Sequence, residues 1–492
     1  MLTPELLRRG ELVLTADPRR VIAKLFLPGQ ETLASGISRA DAVINRVLDM
    51  PDEVVAATLA ETLELFADRH RDLRDILSEH YELVSHRLRD RDDMSTDRSV
   101  LIGAYFTQEF SVEAAALLNP SMVAHPDQSG LGSGEVRFIA SVRAVGEGHV
   151  SSIEFRTGVV GDGDRVVVDD PGRQLTAGRT GARLIARGYL SAALAEESVL
   201  ARAEDVLQLL PDPFSAADLD RAVDSVRRDR LTRGSAEAAI DKIRWLVACN
   251  YQVEYPADRP LSERVLYPAA PDEGRGMEDA RFTRFVEHDG RVTYYGTYTA
   301  FDGVNIRPHL VQTNDFISFE TTHLIGPAAK NKGMAIFPRL VGGEFLALSR
   351  WDRESIGITS SADGRFWSGA VTIQTPEQTW EVIQIGNCGP PVETDEGWLV
   401  LTHGVGAMRA YGIGAILLDL DEPTKLLAAL RTPLLTPNAA EREGYVPNVV
   451  YSCGPLLHGN TLVVPYGCSD SAIRFAFVDV PTLLERLKTD GP

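Results

Sequence analysis

Apolar positions along this chain change their period three times. Over residues 40–89 they recur at helical spacing: Val43, Ile44, Val47 and Leu48, then Val54, Val55, Leu59, Leu63 and Phe66, then Leu73, Ile76, Leu77, Leu83 and Val84. Pro51 followed by Asp52 and Glu53 marks a fresh helix start, because proline costs little in a first turn and acids suit its dipole. Near residue 97 the pattern becomes strand-like, most clearly over Gly134 to Arg143 and Ser151 to Val159. Helical spacing returns between about residues 180 and 248, where Ser215 and Asp218 form an acidic capping-box variant ahead of Leu219, Val223 and Val226. From residue 250 strand and turn signals run almost to the end. The expected division is an N-terminal helical region over 1–95, a first strand-rich unit over 96–164, a helical insertion over 165–247 and further strand-rich units over 248–492.

Beyond residue 248 a single pattern repeats. A glycine-containing turn opens a strand at Gly290, Gly343, Gly397 and Gly459, and another short strand precedes each turn. The spacing of about 50 to 60 residues is that of a β-propeller blade built from antiparallel strands. Gly134 with Phe138 to Arg143 supplies a fifth copy. The fold expected is therefore mainly β, a five-bladed β-propeller with an N-terminal helical region and a helical insertion. A β-sandwich would not explain so regular a repeat.

Composition narrows the partners. A net charge of −20 argues against a nucleic-acid or anionic-membrane partner, since both require a basic surface. Met1 to Glu5 lacks the basic and apolar segments of a signal peptide, and no apolar run reaches membrane-spanning length, so a cytoplasmic protein is expected. The four cysteines, Cys249, Cys388, Cys453 and Cys468, show no metal-type spacing and read as reduced, buried thiols. No metal or cofactor is expected. The helices of 1–95 carry no catalytic constellation and suit packing or homo-oligomer formation.

Candidate chemistry centres on Gly276-Met277-Glu278-Asp279-Ala280-Arg281-Phe282. On a regular strand Asp279 would face away from Glu278, with Arg281 on its own side. In a propeller the innermost strands converge on a central channel, so residues at equivalent blade positions should meet there. Those positions carry Asn119, Arg143, Asp279, Asn331, Lys332, Arg350, His403, Tyr411 and Asp470. A few acids among several cations suit a site that protonates a leaving group and holds an anion.

Several stretches resemble glycoside hydrolase family 130, the mannoside phosphorylases and related β-mannosidases on five-bladed propellers. They are Gly276 to Arg281, Asn331 to Arg339, Leu348 to Arg350, Ile385 to Pro391, Gly397 to Val405, Tyr411 to Ala415, Tyr445 to Val450 and Tyr466 to Asp470. The resemblance implies an inverting reaction at a β-mannoside, with Asp279 as the acid acting through the sugar's 3-hydroxyl. It implies inorganic phosphate as co-substrate, held by Lys332, Arg350 and His403, and α-mannose 1-phosphate as product. Gln384 stands where phosphorylases often carry a lysine, and offers phosphate a hydrogen bond without charge assistance. Tyr411 and Asp470 fall on sugar-binding positions, and Asn119, Arg143, Glu278, Arg281 and Asn331 complete the expected substrate-binding set. The alternative is an inverting β-mannosidase on the same site, which would need a carboxylate base for water. A non-catalytic binding platform would have no use for an acid facing an anion pocket.

Overall fold

The alternating segments beyond residue 115 assemble as antiparallel sheets. In the computed structural model, which describes residues 6–29, 36–88, 94–228 and 233–492, five four-stranded antiparallel units can be followed among the described residues. The first is Ala116–Ala124, Val136–Val145, Ser151–Gly161 and Arg165–Val168. The second is Gly276–Val286, Val292–Phe301, Ile306–Thr313 and Ser318–His323. The third is Ala335–Ile336, Phe345–Ser349, Ile356–Ser361 and Val371–Gln374. The fourth is Gln384–Asn387, Gly397–Val405, Tyr411–Leu418 and Leu426–Ala429. Val450–Tyr451, Thr461–Cys468 and Ala472–Asp479 begin the fifth, and its outer strand is Leu7–Thr15 from the other end of the chain. The first two units share one sheet, through Ser151 against Gly276.

Glycine explains the repeat. Gly290, Gly343 and Gly459 have left-handed φ values of 83°, 88° and 57°, which L side chains adopt only at a cost. Between sheets the core is built from the strands' alternate faces: Leu399, Leu401, Val464 and Val478 in one cluster, Phe155, Phe282 and Phe319 in another, Trp398 and Phe337 in a third.

The expected helical region over 1–95 departs from the pattern at its start. Leu7–Thr15 and Val21–Leu25 are strands: the first alternates in burial along its length, and both find strand partners. The chain divides into two compact units, 1–16 with 115–171 and 178–492 in one, 17–114 with 172–177 in the other. The smaller unit holds helices Arg39–Leu48, Asp52–Phe66, Leu73–Val84 and Thr96–Tyr105 and the strand pair Val21–Leu25 and Thr107–Ser111. Ser38 and Ser95 cap two of these helices, and Ile44, Val55, Leu59, Leu77, Ile102 and Phe106 form their common core. The first strand-rich unit thus starts at Ala116 rather than 96. The insertion likewise begins with strand, Arg165–Val168, Thr176–Ala177 and Arg179–Ala182, and its helices are Arg187–Glu196, Leu200–Leu209, Ala216–Arg228 and Arg233–Ala248. The Ser215–Asp218 cap forms as expected: each residue's side chain accepts the other's backbone N–H. Residues 1–5 and Arg89, on which two of the expectations fall, lie outside the described residues. No helix among the described residues is long and apolar enough to cross a membrane.

Candidate active site

Asp279 sits in a β-bulge. The register of Gly276–Val286 against Val292–Phe301 slips between Glu278 and Arg281, and Asp279 adopts a left-handed φ of 55°. This corrects the alternation expected for a regular strand. The bulge turns Glu278 and Asp279 towards one guanidinium instead of opposite faces: Arg143 donates from Nη1 to Asp279 Oδ1 at 3.1 Å and from Nη2 to Glu278 Oε1 at 2.6 Å. Asn119 Nδ2 donates to the same Asp279 oxygen at 2.6 Å, from a matching bulge where Asn119 has φ 50°. Arg281 does not reach the cavity. It is buried, donating to the Asp279 carbonyl at 3.1 Å and to the Tyr451 hydroxyl at 2.6 Å. Glu278 also stands behind the wall, as the shared partner of Arg143 and Lys332.

The cavity in front of Asp279 has a volume of about 560 Å³. Asn119, Arg143, Asp279, Asn331, Lys332, Arg350, Gln384, His403, Tyr411 and Asp470 all line it, so ten of the twelve expected site residues meet there. Strands and turns from all five units supply them. Lys332 stands beside the acid, held by Glu278, rather than across from it with Arg350. Arg350 is buried to 9 % exposure, and its guanidinium donates to the Arg353 carbonyl at 3.3 Å, while its Nε has no partner among the described residues. His403 stacks on Tyr411 at 6.1 Å, meets Tyr451 edge-on at 4.8 Å and has the Asn387 backbone as a hydrogen-bonding neighbour. Gly386 makes this arrangement fit: a Cβ there would lie 2.4 Å from Arg350 Cδ and 2.6 Å from His403 Cε1. The Arg350 guanidinium and the His403 ring both line the cavity wall, close-packed over Gly386.

Electrostatics separate the two carboxylates that line the cavity. Burial pushes the Asp279 carboxyl up, but the charges of Arg143, Lys332 and Arg281 and the Asn119 amide overcome it and hold the group well below the usual carboxylate range. Asp470 goes the other way, pushed up to about 6 by burial and then by the Asp279 charge. His403 is kept neutral, first by burial and then by Arg350 and Arg281. It is an uncharged hydrogen-bonding group, whereas Lys332 and Arg350 bring the positive charge. Asp352 and Glu354 play no role there: Asp352 accepts the Glu354 and Ser355 backbone N–H groups in a local turn.

Arg353, Arg409, Tyr451 and the apolar Val304, Ile306, Val446 and Val449 also line the cavity, outside the expected set. Arg353 and Arg409 occupy turns with left-handed φ of 78° and 54°, for which the sequence offers no glycine signal. Tyr451 lies one residue beyond a legible motif, in the strand Val450–Tyr451.

One carboxylate clamped by cations thus faces a cavity that also holds Arg350, Gln384 and His403. Residues 258–489 match the family model described as beta-1,4-mannooligosaccharide phosphorylase. A 1,2-beta-oligomannan phosphorylase of Thermoanaerobacter sp. is 33 % identical over 225 residues, 45 % of this chain and 74 % of that protein. A beta-1,2-mannobiose phosphorylase of Listeria innocua is 33 % identical over 233 residues, 46 % of this chain and 64 % of that protein. A solved beta-1,2-mannobiose phosphorylase from Listeria innocua, in complex with beta-1,2-mannobiose, aligns over 77 % of this chain and 93 % of its own, at 22 % identity and a TM-score of 0.45. The protein is a carbohydrate-active enzyme. It belongs to glycoside hydrolase family 130.

Proposed function

We propose that this chain is a five-bladed β-propeller enzyme that phosphorolyses β-mannosides with inversion, releasing α-mannose 1-phosphate. The observation that carries the reading is the meeting, in one cavity, of Asp279 with Arg350, Lys332, Gln384 and His403. A phosphate dianion in the cavity would take charge-assisted contacts from the Arg350 guanidinium, with further contacts from the His403 ring and the Gln384 amide. Such charge-assisted contacts hold the anion in line with the anomeric carbon. They also act on the acid. In the free protein Asp279 is ionised, and a dianion that offsets the charges of Lys332 and Arg350 raises its proton affinity. Proton delivery to the leaving oxygen, through the sugar's 3-hydroxyl, is thereby tied to phosphate binding. Asn119 and Arg143 hold the Asp279 oxygen in place while this happens.

One observation favours a second reading, hydrolysis. Asp470 is a second carboxylate in the same cavity, and an inverting hydrolase requires such a base for water. Turnover of β-mannobioses with and without phosphate decides between them. Phosphorolysis predicts phosphate-dependent α-mannose 1-phosphate, and Arg350→Ala should raise the phosphate KM by roughly tenfold or more while moving the sugar KM less. Free mannose formed at full rate in phosphate-free buffer would instead make the enzyme a hydrolase with Asp470 as its base.

A further inference from the structure

A second polar cluster lies buried between the helical insertion and the second sheet unit, away from the cavity. Cys249 follows helix Arg233–Ala248, Asp272 lies in the short helical turn Pro271–Glu273, His309 is on Ile306–Thr313 and His323 ends Ser318–His323. Sequence spacing hid it, because the four residues come from four elements. Cys249, Asp272 and His309 are at most 1 % exposed and His323 is 8 % exposed. Cys249 Sγ lies 3.2 Å from Asp272 Oδ1, and His309 Nε2 lies 2.7 Å from Asp272 Oδ2. His323 Nδ1 approaches the same His309 Nε2 at 3.3 Å.

Glu273, next door, shows how this core satisfies an ordinary buried carboxylate. It accepts from the Tyr251 and Tyr298 hydroxyls and the Ala269 and Ala270 backbone amides. Asp272 instead meets a thiol and an imidazole, both metal-ligating groups. His309 Nε2 faces two partners in different directions and can direct a single proton at one of them. One ligand atom each from Cys249, Asp272 and His309 lie within 4.8 Å of one another, and His323 stands next to His309.

We infer that Cys249, Asp272 and His309 form a buried structural zinc site, which His323, beside His309, closes as fourth ligand by a shift of its side chain. The borderline-soft set of one thiolate, one carboxylate and two imidazoles suits Zn²⁺ over Mg²⁺ or Ca²⁺. Ligands at 2.0–2.3 Å around a tetrahedral ion lie roughly 3.3–3.8 Å apart; the Cys249–Asp272 and His309–His323 separations of 3.2 and 3.3 Å come close to this, and the 2.7 Å His309–Asp272 contact would open as the ion replaces its proton. Zinc would displace the Cys249 thiol proton to solvent and form the Sγ–Zn bond. Four protein ligands leave no open position for chemistry. The site would fasten the end of the last inserted helix to the turn three residues ahead of the strand that carries Asp279, and it stands whether or not the cavity performs phosphorolysis.

The test uses the full chain, stripped with a chelator and reloaded with Zn²⁺ or, as a spectroscopic probe, Co²⁺. Elemental analysis should find about one zinc per chain, and the cobalt form should show a thiolate-to-metal charge-transfer band. Zinc should raise the thermal midpoint of the wild-type chain, and Cys249→Ser with His309→Ala should abolish that rise. Should the double variant fail to fold, the wild-type stoichiometry and cobalt spectrum decide alone. Zinc at less than roughly a tenth of an equivalent after loading, a cobalt spectrum without the thiolate band, or undiminished zinc uptake by a folded double variant would each overturn the site.

Discussion

Asp279 and Asp470 share one cavity and have opposite titration behaviour, which makes each testable by itself. Asp279→Asn preserves size and the Asn119 and Arg143 neighbours but cannot deliver a proton. Turnover of an unactivated β-mannoside should fall on the order of a hundredfold or more, with the unfolding midpoint little changed. For Asp470, held at about 6 against an ordinary value of 3.8, the folded chain keeps a proton that the unfolded chain releases between about pH 4 and 6. Stability therefore falls as pH rises through that window. Asp279, with its lowered value, acts in the opposite sense, and only below pH 4. Asp470→Asn should flatten the decline between pH 4 and 6 in denaturant titrations, and stabilise the protein at pH 7 by up to about 3 kcal/mol. An unchanged slope would show that Asp470 titrates normally.

At the scale of single elements, the strand Gln384–Asn387 does more than its four residues suggest. Its Gly386 lets the Arg350 and His403 side chains pass directly against backbone. Gly386→Ala should cost about 1–3 kcal/mol in stability and weaken phosphate binding together with it, because both side chains must move away. Comparing the phosphate KM of this variant with that of Arg350→Ala checks the link. Elements also mark where the sequence was legible. Turn glycines such as Gly290 and Gly343 announced their strands because only glycine takes those φ values cheaply. That Asp279 would line a cavity was legible from the local Glu278-Asp279-Ala280-Arg281 chemistry. Its orientation was not, since a bulge with a left-handed aspartate leaves no compositional trace. Leu7–Thr15 carried only the short apolar run Leu12-Val13-Leu14, which does not distinguish strand from helix; its alternating burial appears only in the fold. The cluster of Cys249, Asp272, His309 and His323 carried no signal, because its members are joined only by tertiary packing.

For the whole molecule, the pairing of the first strand with the last sheet unit is the feature with the widest reach. Leu7–Thr15 lies against Ala472–Asp479, from Leu7 opposite Val478 to Thr15 opposite Ala472. Removing residues 1–15 would leave Ala472–Asp479 as a bare edge, with its N–H and C=O groups open to other chains. The truncated protein should unfold at a midpoint lower by about 5 °C or more and scatter light on heating, as differential scanning and static scattering would show. The same pairing sets an order of events during synthesis. A ribosome adding about 5–20 residues per second needs roughly 20 to 90 s to travel from the first strand to its partner. Throughout that time the nascent Leu7–Thr15 has no place to go, and each sheet unit completed before it must wait for its neighbour across the gap. Contacts so remote in sequence fold slowly. The chain is thus a natural client for factors that shield an early strand until Ala472–Asp479 has been made.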